Sequence, residues 1–114
     1  MDRQELIIHE LIAWIDSNIR QPLKIEDVAQ RAGYSKWHLQ RMFQRIMRIS
    51  LGNYIRDKKL ASAAQDLIAG GESVIDISTK YGYDSQQSFS RSFSRKYHVP
   101  PATWRRLNSQ QSHF

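Results

Sequence analysis

Along these 114 residues the apolar positions recur at helical spacing. The pattern predicts seven helices and no strands. Ile7, Leu11, Trp14, Ile15 and Ile19 mark one face of a first helix over about 5–18. Asp2 and Glu5 are placed to cap it, and Arg20-Gln21-Pro22 ends it. A second helix covers about 25–32, with Glu26 and Asp27 in a first turn where the helix dipole favours acids. A third follows Ser35 as N-cap and runs to about 47, turning Leu39, Met42, Phe43 and Ile46 inward. A fourth starts after Ser50 and runs to about Ile68, with Leu51, Tyr54, Ile55, Ala61, Ala64, Leu67 and Ile68 as its buried side. Gly70-Gly71 is the expected stop. At ~1.5 Å per residue this helix is about 27 Å long, enough for a strut between its flanking segments. A fifth helix follows Ser73, with Asp76 completing a short capping box. The sixth covers about 85–97 with Phe89, Phe93 and Tyr97 inward. A short last helix starts at Pro101, a residue suited to the first helical position, with Trp104 as its core anchor. Residues 108–114 read as a frayed tail.

Two of these segments repeat. Residues 25–46 are echoed by residues 74–96: Gly33-Tyr34 by Gly82-Tyr83, and Ile25, Asp27 and Val28 by Val74, Asp76 and Ile77, all at an offset of 49. Ser35, Leu39, Arg41, Phe43 and Arg45 match Ser85, Phe89, Arg91, Phe93 and Arg95 at an offset of 50, with Asp84 as the one insertion. Each copy is a short helix, a glycine turn and a basic helix, the order of a helix-turn-helix whose second helix can enter a DNA major groove. The expected organisation is all-α: a domain over 1–107, with one such unit over about 25–47, a linker helix over about 51–68 and a second unit over about 74–97.

Charge sharpens this picture. The net charge is +6, but residues 28–56 hold six Lys/Arg and residues 85–114 hold five, and neither window contains any of the 11 acids. Acid-free basic stretches that coincide with both second helices point to a polyanion partner. A chain of this length forms a core without staples, and the absence of cysteine excludes disulfides and thiolate metal sites and fits a cytoplasmic protein. The acids among its first 16 residues argue against a signal peptide, and no apolar run approaches the ~18 residues needed to span a bilayer.

With its core residues inward, the third helix presents Lys36, Trp37, Gln40, Arg41 and Gln44, and the sixth presents Gln86, Gln87, Ser90, Arg91 and Ser94. Arginine can take guanine O6 and N7 with two hydrogen bonds, Gln can read adenine, and an aromatic face can pack on a thymine methyl or a sugar. The two helices share an arginine and differ beside it, so an asymmetric target is expected. Ser35 and Ser85 stand at helix N-termini whose free N–H groups can hold a phosphate. Lys36, Arg45 and Gln86 are further candidates for backbone contacts, as are Ser90, Arg95, Lys96 and Arg105.

GYSKWHLQRMF at 33–43, SLGNYIR at 50–56, YGYDSQQSFSRSF at 81–93 and PPATWR at 100–105 resemble the AraC/XylS family of bacterial transcription activators. The match is to its small stand-alone MarA/SoxS/RamA/Rob-like subgroup and covers about residues 6–106. The resemblance implies a monomer with two helix-turn-helix units joined by the fourth helix, placing helices three and six in successive major-groove segments. It implies base contacts by Trp37, Gln40 and Arg41 and by Gln87, Ser88 and Arg91, with Arg105 on the backbone. It further implies a degenerate promoter site near stress and drug-efflux genes. The implied partner is RNA polymerase, met through the C-terminal domain of its alpha subunit or through its sigma factor. No cofactor, metal, membrane or small-molecule effector is implied, and control would come from the protein's abundance.

The chain departs from that pattern at three points. Lys24 stands where the subgroup often has a serine cap; Met47-Arg48 replaces a Thr-Gly pair after the third helix, which leaves Arg48 as either an added phosphate contact or a tolerated substitution; and Ser88 and Ser90 stand for threonines, which puts thymine contacts there in question. Two other readings use the same residues. One is an architectural DNA binder that relies on the basic windows alone, and the other is a protein-interaction adaptor anchored by Trp37. An enzyme is not expected, since His9, His38, His98 and His113 fall in no metal-ligand spacing and there is no Gly-rich phosphate loop.

Overall fold

A computed structural model describes residues 1–111, with side-chain environments through Ser109. The described residues form seven α-helices and no strand: α1 (Arg3–Ser17), α2 (Ile25–Ala32), α3 (Lys36–Met47), α4 (Leu51–Ala69), α5 (Val74–Lys80), α6 (Gln86–Tyr97) and α7 (Pro101–Gln111). They divide into two compact units, Met1–Lys58 and the chain from Lys59 onward. Helix α4 gives its first turns to one unit and the rest to the other.

The first unit packs α1, α2, α3 and the start of α4 around Ile8, Leu11, Ile15, Val28, Leu39, Met42, Phe43, Leu51 and Ile55. Each large aliphatic or aromatic side chain so buried contributes ~1.5–3 kcal/mol. Helix α1 starts where Asp2 Oδ1 accepts from Glu5 N–H at 2.8 Å, as expected. Its inward stripe includes Ile8, absent from the sequence-derived set, while Ile7 and Trp14 are only partly buried. Tyr54 donates to Asp16 Oδ1 at 3.1 Å, tying α4 to α1. Burial, and then the neighbouring carboxylate, push its phenol up to about 12.

The second unit packs the rest of α4 with α5, α6 and α7 around Leu60, Ala63, Ala64, Leu67, Ile77, Tyr81, Phe89 and Phe93. Leu60 and Ala63 were missed in the sequence, and Ile68, expected inward, is 40% exposed. Helix α7 is longer than expected: residues 108–111 continue it instead of forming a frayed tail, and residues 112–114 of that expected tail lie outside the described residues. Trp104 is the anchor foreseen, in ring contact with Tyr97 (4.7 Å) and Phe93 (5.9 Å) and donating from Nε1 to Ala64 O at 3.1 Å.

The turns explain the repeat. Helix α2 ends at Gly33 with φ 80, and α5 is followed by Gly82 with φ 83, a left-handed conformation that glycine adopts without strain. In each copy the next tyrosine closes the turn: Tyr34 N–H donates to Ala29 O (3.1 Å) and Tyr83 N–H to Ser78 O (3.0 Å). The same device thus sets the exit angle toward α3 and toward α6.

Candidate nucleic-acid interface

Helices α3 and α6 begin alike. Ser35 Oγ accepts from His38 N–H at 3.2 Å, and Ser85 Oγ accepts from Ser88 N–H at 3.0 Å. Each cap satisfies one of the four donors a helix start leaves open, so others remain for an anion. The helices also end alike: Arg48 (φ 62) and His98 (φ 68) are the non-glycine residues with positive φ among the described residues.

On α3, Leu39, Met42 and Phe43 are buried, which turns Trp37, Arg41 and Gln44 to solvent. Trp37 is 73% exposed, so packing against the core edge is excluded. Arg41 makes no ion pair or hydrogen bond with the described residues, and Gln40 beside it is half-buried. Lys36 is exposed but reaches back to Glu26 of α2 at 3.2 Å. A backbone hydrogen bond at Glu26, and then Lys36, hold that carboxyl below the usual carboxylate range. Arg45 donates to Gln4 of α1, and Tyr34 meets His38 edge-on at 4.9 Å. The helix is therefore braced at both ends while its outward Trp and Arg are left free.

On α6, Phe89 and Phe93 are buried, and Gln86, Gln87, Arg91, Arg95 and Lys96 are exposed. Gln86, Gln87, Ser90 and Arg91 line an open hollow of about 610 Å³. Ser88 and Ser90 are half-buried, and the Ser85 hydroxyl also bonds that of Ser88 at 3.2 Å, so Ser88 is partly engaged in the cap. Arg91, like Arg41, has no ion-pair partner among the described residues. The ammonium of Lys96 sits 5.6 Å from the Tyr97 ring centre.

Arg105 differs from expectation. It is half-buried, and its guanidinium donates to Leu67 O at 2.9 Å and to Glu72 O. Leu67 O lies in the last turn of α4 and Glu72 O in the turn that follows, so Arg105 ties α7 to the end of α4 and to that turn. The nearby clamp is ionic: Lys80 Nζ lies 2.9 Å from Asp66 Oδ2 and 2.6 Å from Glu72 Oε1, and Tyr81 donates to Asp66 at 2.5 Å. Burial lowers the Lys80 pKa, but the bonds to Glu72 and Asp66 outweigh it and leave the ammonium above its usual range. Arg48, for which the sequence leaves open an added phosphate contact or a tolerated substitution, is exposed at the end of α3.

Taken together, the exposed faces offer donors that fit base edges and phosphates. No described helix is long and apolar enough to cross a membrane. Residues 28–107 match a family model described as a helix-turn-helix domain. The multiple antibiotic resistance protein MarA of Escherichia coli (strain K12) is 43% identical over 105 residues, covering 92% of this chain and 83% of that protein. The HTH-type transcriptional activator AarP of Providencia stuartii is 43% identical over 102 residues, covering 90% and 76%. Among solved structures, the C-terminal domain of AraT, a response regulator from Geobacillus stearothermophilus, superposes with a TM-score of 0.81 at 27% identity, covering 93% of this chain and 88% of that one.

Proposed function

This chain belongs to the AraC family of helix-turn-helix, DNA-binding transcription activators, within the MarA-like subgroup, and from that premise we propose that it binds an asymmetric promoter site as a monomer and recruits RNA polymerase there. The observation that carries the proposal is a pair of serine-capped helices, each with an exposed, unpaired arginine and different neighbours. Trp37, Gln40 and Arg41 read one block of bases, and Gln87, Ser88 and Arg91 read the other. Arginine contributes the bidentate guanine contact, glutamine reads an adenine or bridges polar edges, and the indole packs on a methyl or sugar. The free N–H groups above Ser35 and Ser85, with Lys36, Arg45, Gln86, Ser90, Arg95 and Lys96, take the backbone and set register. Arg105 acts here through α7, by holding the end of α4.

The polymerase surface in this reading is the C-terminal domain of the alpha subunit or the sigma factor. The genes served are those of multidrug resistance or stress, as the name of the MarA relative suggests. The place of action is the bacterial nucleoid, in the cytoplasm.

Selection of preferred sites from random duplex DNA with the purified protein tests the core of this. Two unlike blocks about one helical turn apart are expected. Binding at low salt with no enriched sequence would instead mean an architectural binder, and no binding at all would leave the adaptor role.

A further inference from the structure

The last residue of the α3 frame is a cation where the backbone favours glycine. Arg48 caps the helix at φ 62 and donates its backbone N–H to Gln44 O at 3.0 Å. This left-handed region strains any residue with a Cβ. The Arg48 side chain is exposed and has no ion-pair or hydrogen-bond partner among the described residues. With Gln44 and Arg45 it lines an open basin of about 550 Å³. Two arginines line this basin and α3 carries no acid, so the positive charge outweighs the roughly half negative charge of a helix C-terminus.

The basin lies at the end of the reading face. Trp37, Arg41, Gln44 and Arg48 follow one another at i, i+4, i+7 and i+11, which at ~100° per residue keeps them within about 60° of one stripe. Arg48 is about 16 Å along the helix axis from Trp37, farther than the ~12 Å width of a major groove. With the first turns of α3 on bases, its end therefore stands over the rim of the groove, where the sugar-phosphate chain runs.

We propose that Arg48, with Gln44 and Arg45, clamps a DNA backbone phosphate at the far rim of the groove read by α3. The proposal rests on the DNA-binding reading above. It also makes the two units unequal, because in the second unit His98 occupies the matching left-handed position and Ser94 stands in place of Gln44.

The test uses the whole chain with Arg48→Gly and Arg48→Lys. Binding to the selected site and to a random duplex is measured by fluorescence anisotropy across a salt series, and stability by thermal melting. Arg48→Gly relieves the strained backbone, so it melts higher, by about 4 °C. It nevertheless binds both duplexes several-fold more weakly, by the same factor, and its log affinity against log salt is shallower by about 1. Arg48→Lys keeps the slope of the unsubstituted protein and gains no melting temperature. Unchanged affinity and slope in Arg48→Gly would overturn the clamp and leave Arg48 as a helix end only. A loss confined to the selected site would overturn it in favour of a base contact. If the unsubstituted protein binds neither duplex, the DNA-binding reading itself falls and the clamp with it.

Discussion

In the first unit Arg31 sits 5.5 Å from the ring centre of Trp14, a residue of α1; in the second unit its counterpart Lys80 sits 5.5 Å from Tyr81 and also pairs with Asp66 and Glu72. Trp14 and the small Ala32 line one hollow in the first unit, whereas 49 residues on the small Ala63 and the large Tyr81 are both buried in the second core. The first core is mainly aliphatic. The second is a ladder of rings, Tyr83–Phe89–Phe93–Tyr97–Trp104, reinforced by the ionic clamp and Arg105. The outward faces differ as well: beside its arginine α3 exposes Trp37 and Gln44, whereas beside Arg91 α6 exposes Gln86 and Gln87 and holds Ser88 and Ser90 half-buried. One frame thus carries two kinds of packing, with cross-bracing weighted to the second unit; in the function proposed above, the larger share of base reading falls to the first.

The bracing half of that comparison is the easiest to break. Trp104→Ala removes two ring contacts and the bond to Ala64 O, and is expected to cost about 3 kcal/mol in urea unfolding, the low end for a tryptophan because the ring is half-buried. Trp14→Ala should cost less, and an equal loss would show that bracing is not concentrated in the second unit.

On the reading side, Arg41→Ala should cost about 1–3 kcal/mol on the selected site and relax one block of it. Arg91→Ala should fall at or below the bottom of that range and relax the other block. Equal costs would remove the weighting, and equal losses on selected and random DNA would contradict base reading.

The smallest expected effect concerns the helix starts. Helix α2 begins at Lys24 with no side-chain cap, while α5 begins at Ser73, whose hydroxyl accepts from Asp76 N–H at 3.1 Å. Lys24→Ser should stabilise the first unit by about 0.5–1 kcal/mol and slow amide exchange at Asp27. Unchanged exchange there would mean that α2 is already held by its packing.

Much of this was legible in the sequence because it is local. Serine caps, glycine stops and the inward stripes of α3 and α6 depend on residues three or four apart. The inward set of α4 was read less well for a physical reason: the helix serves two cores, so no single stripe describes it, and Ile68 was put inside while Leu60 and Ala63 were passed over. Nonlocal polar contacts left no trace. Nothing in the spacing distinguishes an arginine that reaches a phosphate from one that reaches carbonyls 38 and 33 residues earlier, as Arg105 does. The pairing of Lys36 with Glu26 and of Arg45 with Gln4 was hidden in the same way.

The position of Trp104 sets an order of events on the ribosome. The first unit is complete once Lys58 has emerged, but the ring ladder of the second lacks its last member until synthesis reaches Trp104, 46 residues later. At roughly 5–20 residues per second this interval lasts roughly 2–9 s. Throughout it the newborn chain carries all of its first unit, followed by a second whose ring ladder still lacks its last member.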